Sequence, residues 1–293
     1  MVDIGLVAVL AIALPPSLAA ILWRAARSAL SSPRVLKQNY RGADVPGSGG
    51  IVPVVVALGW AGFLVWWTPG DLTPRHGHAV LVALAGFGIL GAVDDVMGGR
   101  SGGGFAGHLV ALARGHLTTG IVKMVVGAMV AITAAAVAGG ARPALESGWM
   151  IEVGRSGAIV ALSANLLNLF DRAPGRSVKV AGGWWAALLV ATAVSDGPDL
   201  QIMVWVTAAL AAFVGVVGYE LREELMLGDT GVNPLGATLG LGTVLVASPG
   251  VEWIVMTLLV ALNLTSERVS FSAVIDAVGP LRRLDRLGSP YRS

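Results

Sequence analysis

The chain reads as an all-α, polytopic membrane helix bundle of about nine spans, and three observations carry that reading. It is 55% hydrophobic and only 13% charged, whereas soluble domains carry about 25% charged residues. The apolar residues come in long blocks rather than periodic stripes, and mean hydropathy is +0.75. The basic residues also sort to one side: with the N-terminus outside, the inner segments hold all 20 Lys and Arg except Arg75, Arg142 and Arg155, the bias that sets orientation.

A span needs roughly 20 mostly apolar residues, which gives spans near 3–23, 51–67, 79–94, 119–138, 154–171, 180–195, 199–219, 231–247 and 251–266. The first has an acid and no basic flank before it, so it reads as a retained span, bent at Pro15-Pro16. The second ends on Trp66-Trp67 and the third on Asp94-Asp95. The fifth starts at R-S-G and ends in polar N-L-L-N-L-F-D, and the eighth opens with G-D-T-G. An odd number of spans puts the C-terminus in the cytoplasm. Residues 1–293 form one integral-membrane domain, of which 267–293 is a basic tail. Its Arg282, Arg283 and Arg286 are suited to anionic lipid.

Trp60, Trp66, Trp67 and Trp149 fall near outer ends and Trp23, Trp184 and Trp185 near inner ones, as aromatic belts do. The stretch 107–116 is amphipathic and is expected to lie along the interface. The chain has no cysteine, which excludes disulfides and thiolate chemistry. His76 and His78 read as solvated outer-loop residues.

Four acids sit where spans meet water: Asp94, Asp95, Asp171 and Asp229. Such carboxylates at the edge of hydrocarbon are costly and mark function by default. The topology brings them to the inner face together with Arg41, Lys123, Arg172, Arg176 and Lys179. Acids and bases on one face suit a polyanion held by Mg²⁺, which binds through one or two carboxylates plus substrate phosphates. Asn165, Asn168 and Asp171 lie three apart and share one helical arc. The asparagines read either as metal and substrate ligands or as interhelical glue. Asp229 reads as a metal ligand or as part of a helix cap.

N-Y-R-G-A-D-V-P-G-S-G-G (39–50), V-D-D (93–95), T-T-G-I-V-K (118–123), N-L-L-N-L-F-D (165–171) and G-D-T-G (228–231) occur in order. In this the chain resembles the polyprenyl-phosphate N-acetylhexosamine-1-phosphate transferase superfamily, of which it would be a divergent member. The resemblance implies transfer of a sugar 1-phosphate from a UDP-sugar to a polyprenyl phosphate, with Mg²⁺ or Mn²⁺, releasing UMP. It also implies a bacterial plasma membrane location, a cytoplasmic site and a role in cell-wall or surface-glycan synthesis. Asp229 then resembles the principal metal ligand, with Asn168 and Asp171 beside it. Asp94 and Asp95, with Asp171, would be catalytic. Arg41, Lys123, Asn165, Asn168, Arg172 and Arg176 would hold substrate. Membrane lipids are expected partners and nucleic acid is not; pairing into a homodimer stays open. Pro174 stands where the family has a second Asp, and the family's His-rich loop is absent. These departures leave a second expectation, a silent relative that binds lipid carrier or nucleotide sugar. A transporter with a mid-span carboxylate relay fits poorly, because the acids lie at span ends.

Overall fold

The computed structural model describes residues 4–33, 35–67, 72–97, 107, 114–116, 118–139, 148–194 and 201–291. Among these, eleven helices and one short hairpin form. The elements are α1 (Ile4–Leu30), β1 (Leu36–Gln38), β2 (Asp44–Pro46), α2 (Ile51–Trp67), α3 (Pro74–Met97) and α4 (Thr119–Gly139). They continue with α5 (Trp149–Phe170), α6 (Arg176–Val194), α7 (Gln201–Leu221), α8 (Gly228–Val246), α9 (Pro249–Ser266), α10 (Phe271–Ala277) and α11 (Gly279–Arg286).

A helix stands at each expected span, and seven are long and apolar enough to cross a membrane. The chain is thus an all-helical, multi-pass membrane protein. Of the other two, α2 is 17 residues of nearly unbroken apolar sequence. The other, α8, carries Asp229, Thr230, Asn233, Thr238 and Thr243, and every residue from Thr230 to Thr243 is buried. It packs against α5, α3, α6, α7 and α2. Walled by protein rather than lipid, it needs no apolar surface, so hydropathy underrates it. Its glycines admit the walls: a Cβ on Gly240 would stand 3.0 Å from the Val160 Cα of α5, the close approach small residues allow.

Several boundaries move outward. Helix α3 starts at Pro74 and runs past both Asp94 and Asp95, α5 starts at Trp149, and α6 starts at Arg176. Backbone hydrogen bonding continues into the polar interface, where apolar composition has already ended. Helix α1 runs through Pro15 and Pro16 as one element of 27 residues. Trp23 and Trp60 are core rather than belt residues, 1% and 8% exposed. The Trp184 and Trp185 indoles donate to Thr243 and Thr207 inside the bundle. Residues 108–113 of the amphipathic stretch expected at 107–116, His108 among them, lie outside the described residues, as does Arg142.

The hairpin, like the short tail helices α10 and α11, is not announced by the apolar pattern. Leu36, Lys37 and Gln38 pair antiparallel with Pro46, Val45 and Asp44. Asn39 shapes its turn: the side-chain oxygen accepts from the N–H groups of Arg41 and Ala43, at 2.9 and 3.0 Å, an Asx turn. Beyond β2 the chain bonds to the α7–α8 connection, with Met226 N–H donating to Pro46 and Gly49 and Gly50 N–H donating to Met226 and Leu227.

Candidate functional site

One end of the bundle gathers the last turn of α3, the first turns of α4, α6 and α8, the end of α7 and the hairpin. Asp95 anchors the centre. Its Oδ2 accepts from Thr230 N–H at 3.0 Å and the Thr230 hydroxyl at 2.6 Å, and its Oδ1 accepts from Asp229 N–H at 3.3 Å. Lys37 Nζ reaches Oδ1 at 2.8 Å. A carboxylate has about four lone-pair sites, so all are taken. Asp95, one of the acids expected to be catalytic, therefore caps α8 from another helix.

Gly228 shows why the loop reads G-D-T-G. Its φ is +64°, and an added Cβ would sit 2.6 Å from Asp95 Oδ2, so only glycine combines that turn with that approach. Gly91 on α3 plays the matching part, its Cα side pressed against the Asp229 carbonyl.

Lys123 bridges Asp94 and Asp229, with Nζ 3.0 Å from Asp94 Oδ2 and in direct contact with Asp229 Oδ2. Asn233, one turn along α8, also hydrogen-bonds Asp229. Side-chain exposure falls from 41% at Asp94 through 29% at Lys123 to 18% at Asp229, so Asp94 faces the opening. Three of the expected site residues thus meet directly.

Asp171 lies behind them, just beyond the end of α5. It accepts from the Ser177 hydroxyl at 2.9 Å and from Gly228 N–H. Burial, first, and the nearby charges of Asp229 and Asp95 push its carboxyl up to about 6. The helix stops at Phe170, and Asp171 has φ −75° and ψ 53°. Its direction is therefore not set by helical spacing, and the arc shared with Asn165 does not form. Asn165 instead donates to Asn263 of α9 at 2.6 Å, the interhelical alternative. Asn168 is half-buried one turn before Asp171, and among the described residues its carboxamide has no side-chain partner.

The expected phosphate-binding arginines divide. Arg172 is exposed beside the turn. Arg41 pairs with Glu223 at 2.7 Å and lies 4.0 Å over the Tyr291 ring. Arg176 is 3% exposed and forks onto Asp285 at 2.7 and 2.8 Å, with a third bond to Ser272. Arg176, expected to hold substrate, is engaged by the tail in this structure.

Sequence reasoning missed four residues. Lys37 neutralises Asp95, and Ser177 holds Asp171. Glu223, at a left-handed φ of 59°, gathers Asn39, Tyr40 and Arg41 at 2.6 to 2.7 Å. Glu220 is 3% exposed and its Oε2 has no partner. The run Y-E-L-R-E-E closing the seventh span was the available signal.

Among the described residues no three His or carboxylate side chains converge as a ready-made metal group. The donor set nevertheless suits Mg²⁺, which takes one or two carboxylates and completes its shell with phosphate and water. Asp94 and Asp229 already share a cation, the Lys123 ammonium. No family model matches the chain, and no curated protein proved similar to it.

Proposed function

We propose that the protein transfers a sugar 1-phosphate, of the N-acetylhexosamine class, from a UDP-sugar to a polyprenyl phosphate, releasing UMP. The observation that carries this reading is the Asp94–Lys123–Asp229 bridge over the Asp95-capped N-terminus of α8. Residues from three of the five ordered motifs meet there. Carboxylates that already share a cation, beside an ammonium and a helix N-terminus, suit a metal-bound pyrophosphate. Bound there, Mg²⁺ supplies charge neutralisation on the phosphates, which is most of what phosphoryl transfer asks of a site. Asp94 and Asp229 would hold it, with Asp171 and Asn168 behind.

In the reaction an oxygen of the lipid phosphate attacks the sugar-bearing phosphorus of the UDP-sugar. The new P–O bond joins lipid and sugar phosphates; the bond to the bridging oxygen breaks, and that oxygen leaves with UMP. Lys123 moves from the carboxylates to the phosphates, and Arg172 is exposed to receive them. Asp95 holds the α8 backbone so that Asp229 keeps its aim. The site end is cytoplasmic in this reading, where UDP-sugars are found.

A second reading has a specific observation behind it. Arg41 and Arg176 are engaged by Glu223 and Asp285, which suits a lipid-carrier or nucleotide-sugar binding module without turnover. One experiment separates them: UMP release from a panel of UDP-HexNAc substrates with polyprenyl phosphate and Mg²⁺, in parallel with Asp229→Asn. The transferase reading expects UMP from at least one sugar and a loss of 100-fold or more in the variant. No UMP from any sugar, with nucleotide sugar still bound, moves the assignment to the binding module.

A further inference from the structure

At the end of the bundle away from the acid cluster, α9 stands off from its neighbours. It packs mainly against α5, and a cavity of about 1260 Å³ is lined by α5, α6, α8 and α9 together. The wall changes character with depth. Arg75, His76, Glu152, Arg155, Ser248 and Glu252 lie around the mouth, while Leu166, Trp184, Leu259 and Leu262 line the interior. The wall runs from Glu152 to Leu166 on α5 and from Pro249 to Leu262 on α9, about 20 Å at roughly 1.5 Å per residue. That depth is one leaflet, half of a bilayer about 40–45 Å thick with its headgroups.

Arg155 is a half-used cation in that wall. It is 9% exposed, and its Nε donates to Glu252 Oε2 at 3.0 Å, where the Ser156 hydroxyl also donates at 3.1 Å. The guanidinium stands 5.4 Å from the centre of the Trp253 ring. A guanidinium has five N–H donors; among the described residues Glu252 takes the one on Nε, and the terminal N–H groups have no acceptor. Buried donors are seldom left bare, and these form the fork that phosphate oxygens match. Glu252 offsets Arg155, and Arg75 and Glu152 add one charge of each sign. The mouth therefore holds no net charge and takes a headgroup through its phosphate oxygens rather than through its overall charge.

We propose that this cavity binds one two-chain phospholipid, drawn from the leaflet opposite the acid cluster. The phosphate takes the terminal N–H groups of Arg155, and the acyl chains run inward along Leu166 and Leu259 toward Trp184. A cavity that is polar at the mouth, apolar inside and one leaflet deep has the shape of such a lipid. Its chains fill the space that α9 leaves against α6. The lipid carrier of the proposed reaction presents its phosphate at the other end of the bundle, so this lipid is a separate ligand. The site goes beyond the transferase reading and does not depend on turnover.

The test uses the full chain, washed free of lipid in detergent, and a phosphatidylethanolamine with a photoreactive diazirine at the end of one acyl chain. Illumination and peptide mapping are expected to place the label on the deep wall, around Leu166, Trp184 or Leu259, saturating at about one lipid per chain. Unlabelled phosphatidylethanolamine should displace it. Diacylglycerol with the same chains, and polyprenyl phosphate, should each displace it about tenfold or more less well, the scale of one charge-assisted hydrogen bond lost. Arg155→Gln combined with Glu252→Gln removes both charges and strands neither. It should lower labelling of the wall by a similar factor, while labelling of the outward face of α1 stays as in the wild type. Monodisperse elution and an unchanged helical circular dichroism signal certify that the variant is folded, and the competition arms need no variant. Four results overturn the proposal. Unsaturable label spread evenly over α1 and the wall would make the lipid mere solvent. Equal displacement by diacylglycerol, or full labelling of the double variant, would remove phosphate recognition. Displacement best by polyprenyl phosphate would make the cavity a carrier site. Because UMP release is not read, an inactive protein that passes keeps the lipid site and loses only the transferase reading.

Discussion

Asp171 is where a single side chain sets a measurable pH dependence. Its folded-state carboxyl titrates at about 6, above the ordinary 3.8, chiefly because it is buried. A raised acid pKa means that the folded state prefers the proton. The cost of ionising it is therefore absent below pH 3.8, grows through the interval and is complete above about 6. At roughly 1.4 kcal/mol per unit this is on the order of 3 kcal/mol. Asp171→Asn keeps an acceptor for Ser177 and removes the charge. In chelator-containing detergent the variant should melt higher than wild type at pH 8, with the gap closing toward pH 5. An equal gap at both values would show that the charge is not the cause. Asp95 gives the opposite expectation, since its oxygens are all spent on Lys37, Asp229 and Thr230. Asp95→Ala should lower the melting temperature by an amount worth about 1–3 kcal/mol for each stranded donor at the α8 N-terminus, before any effect on chemistry is read.

Tethers between elements follow the same logic one level up. The tail helices α10 and α11 bury few apolar side chains, and Leu281, Leu284 and Leu287 are exposed. The buried charge in the tail is Asp285, 5% exposed, whose carboxylate takes Arg176 while its backbone carbonyl takes Lys179, beside the Phe271–Phe170 stack and the Arg41–Tyr291 contact. Breaking a buried pair strands a charge at about 3–5 kcal/mol. Asp285→Ala should therefore free the tail, read as faster proteolytic cleavage within residues 267–291 while the spans stay protected; unchanged cleavage would refute the tether. These links also mark what the sequence could carry. Spans were legible because lipid imposes a composition, and Asp94, Lys123 and Asp229 because charges at span ends are rare. The engagement of Arg176 by the tail is not legible, because nothing local shows that Asp285 lies against it over a hundred residues away. The hairpin was hidden for a similar reason: its strands are three residues each, too short for a period, and its order comes from Glu223 far along the chain.

For the whole molecule, the open matter is whether α8, wrapped in protein and poor in hydropathy, completes a crossing. The charge asymmetry requires an odd number of spans, and α8 decides the parity. Helices α5 to α9 are five crossings with α8 included and four without it. Met150, 71% exposed at the start of α5, and Val269, 41% exposed just after α9, flank that interval. The chain has no cysteine, so Met150→Cys and Val269→Cys each carry a single thiol for a membrane-impermeant maleimide. The nine-span topology expects Met150→Cys to label in intact cells and Val269→Cys to label only after permeabilisation. Labelling of both in intact cells would remove α8 as a crossing and separate the site end from the basic tail. The reverse pattern would place the Asp94–Lys123–Asp229 bridge outside the cell, away from UDP-sugars, and the transferase reading would fall with it.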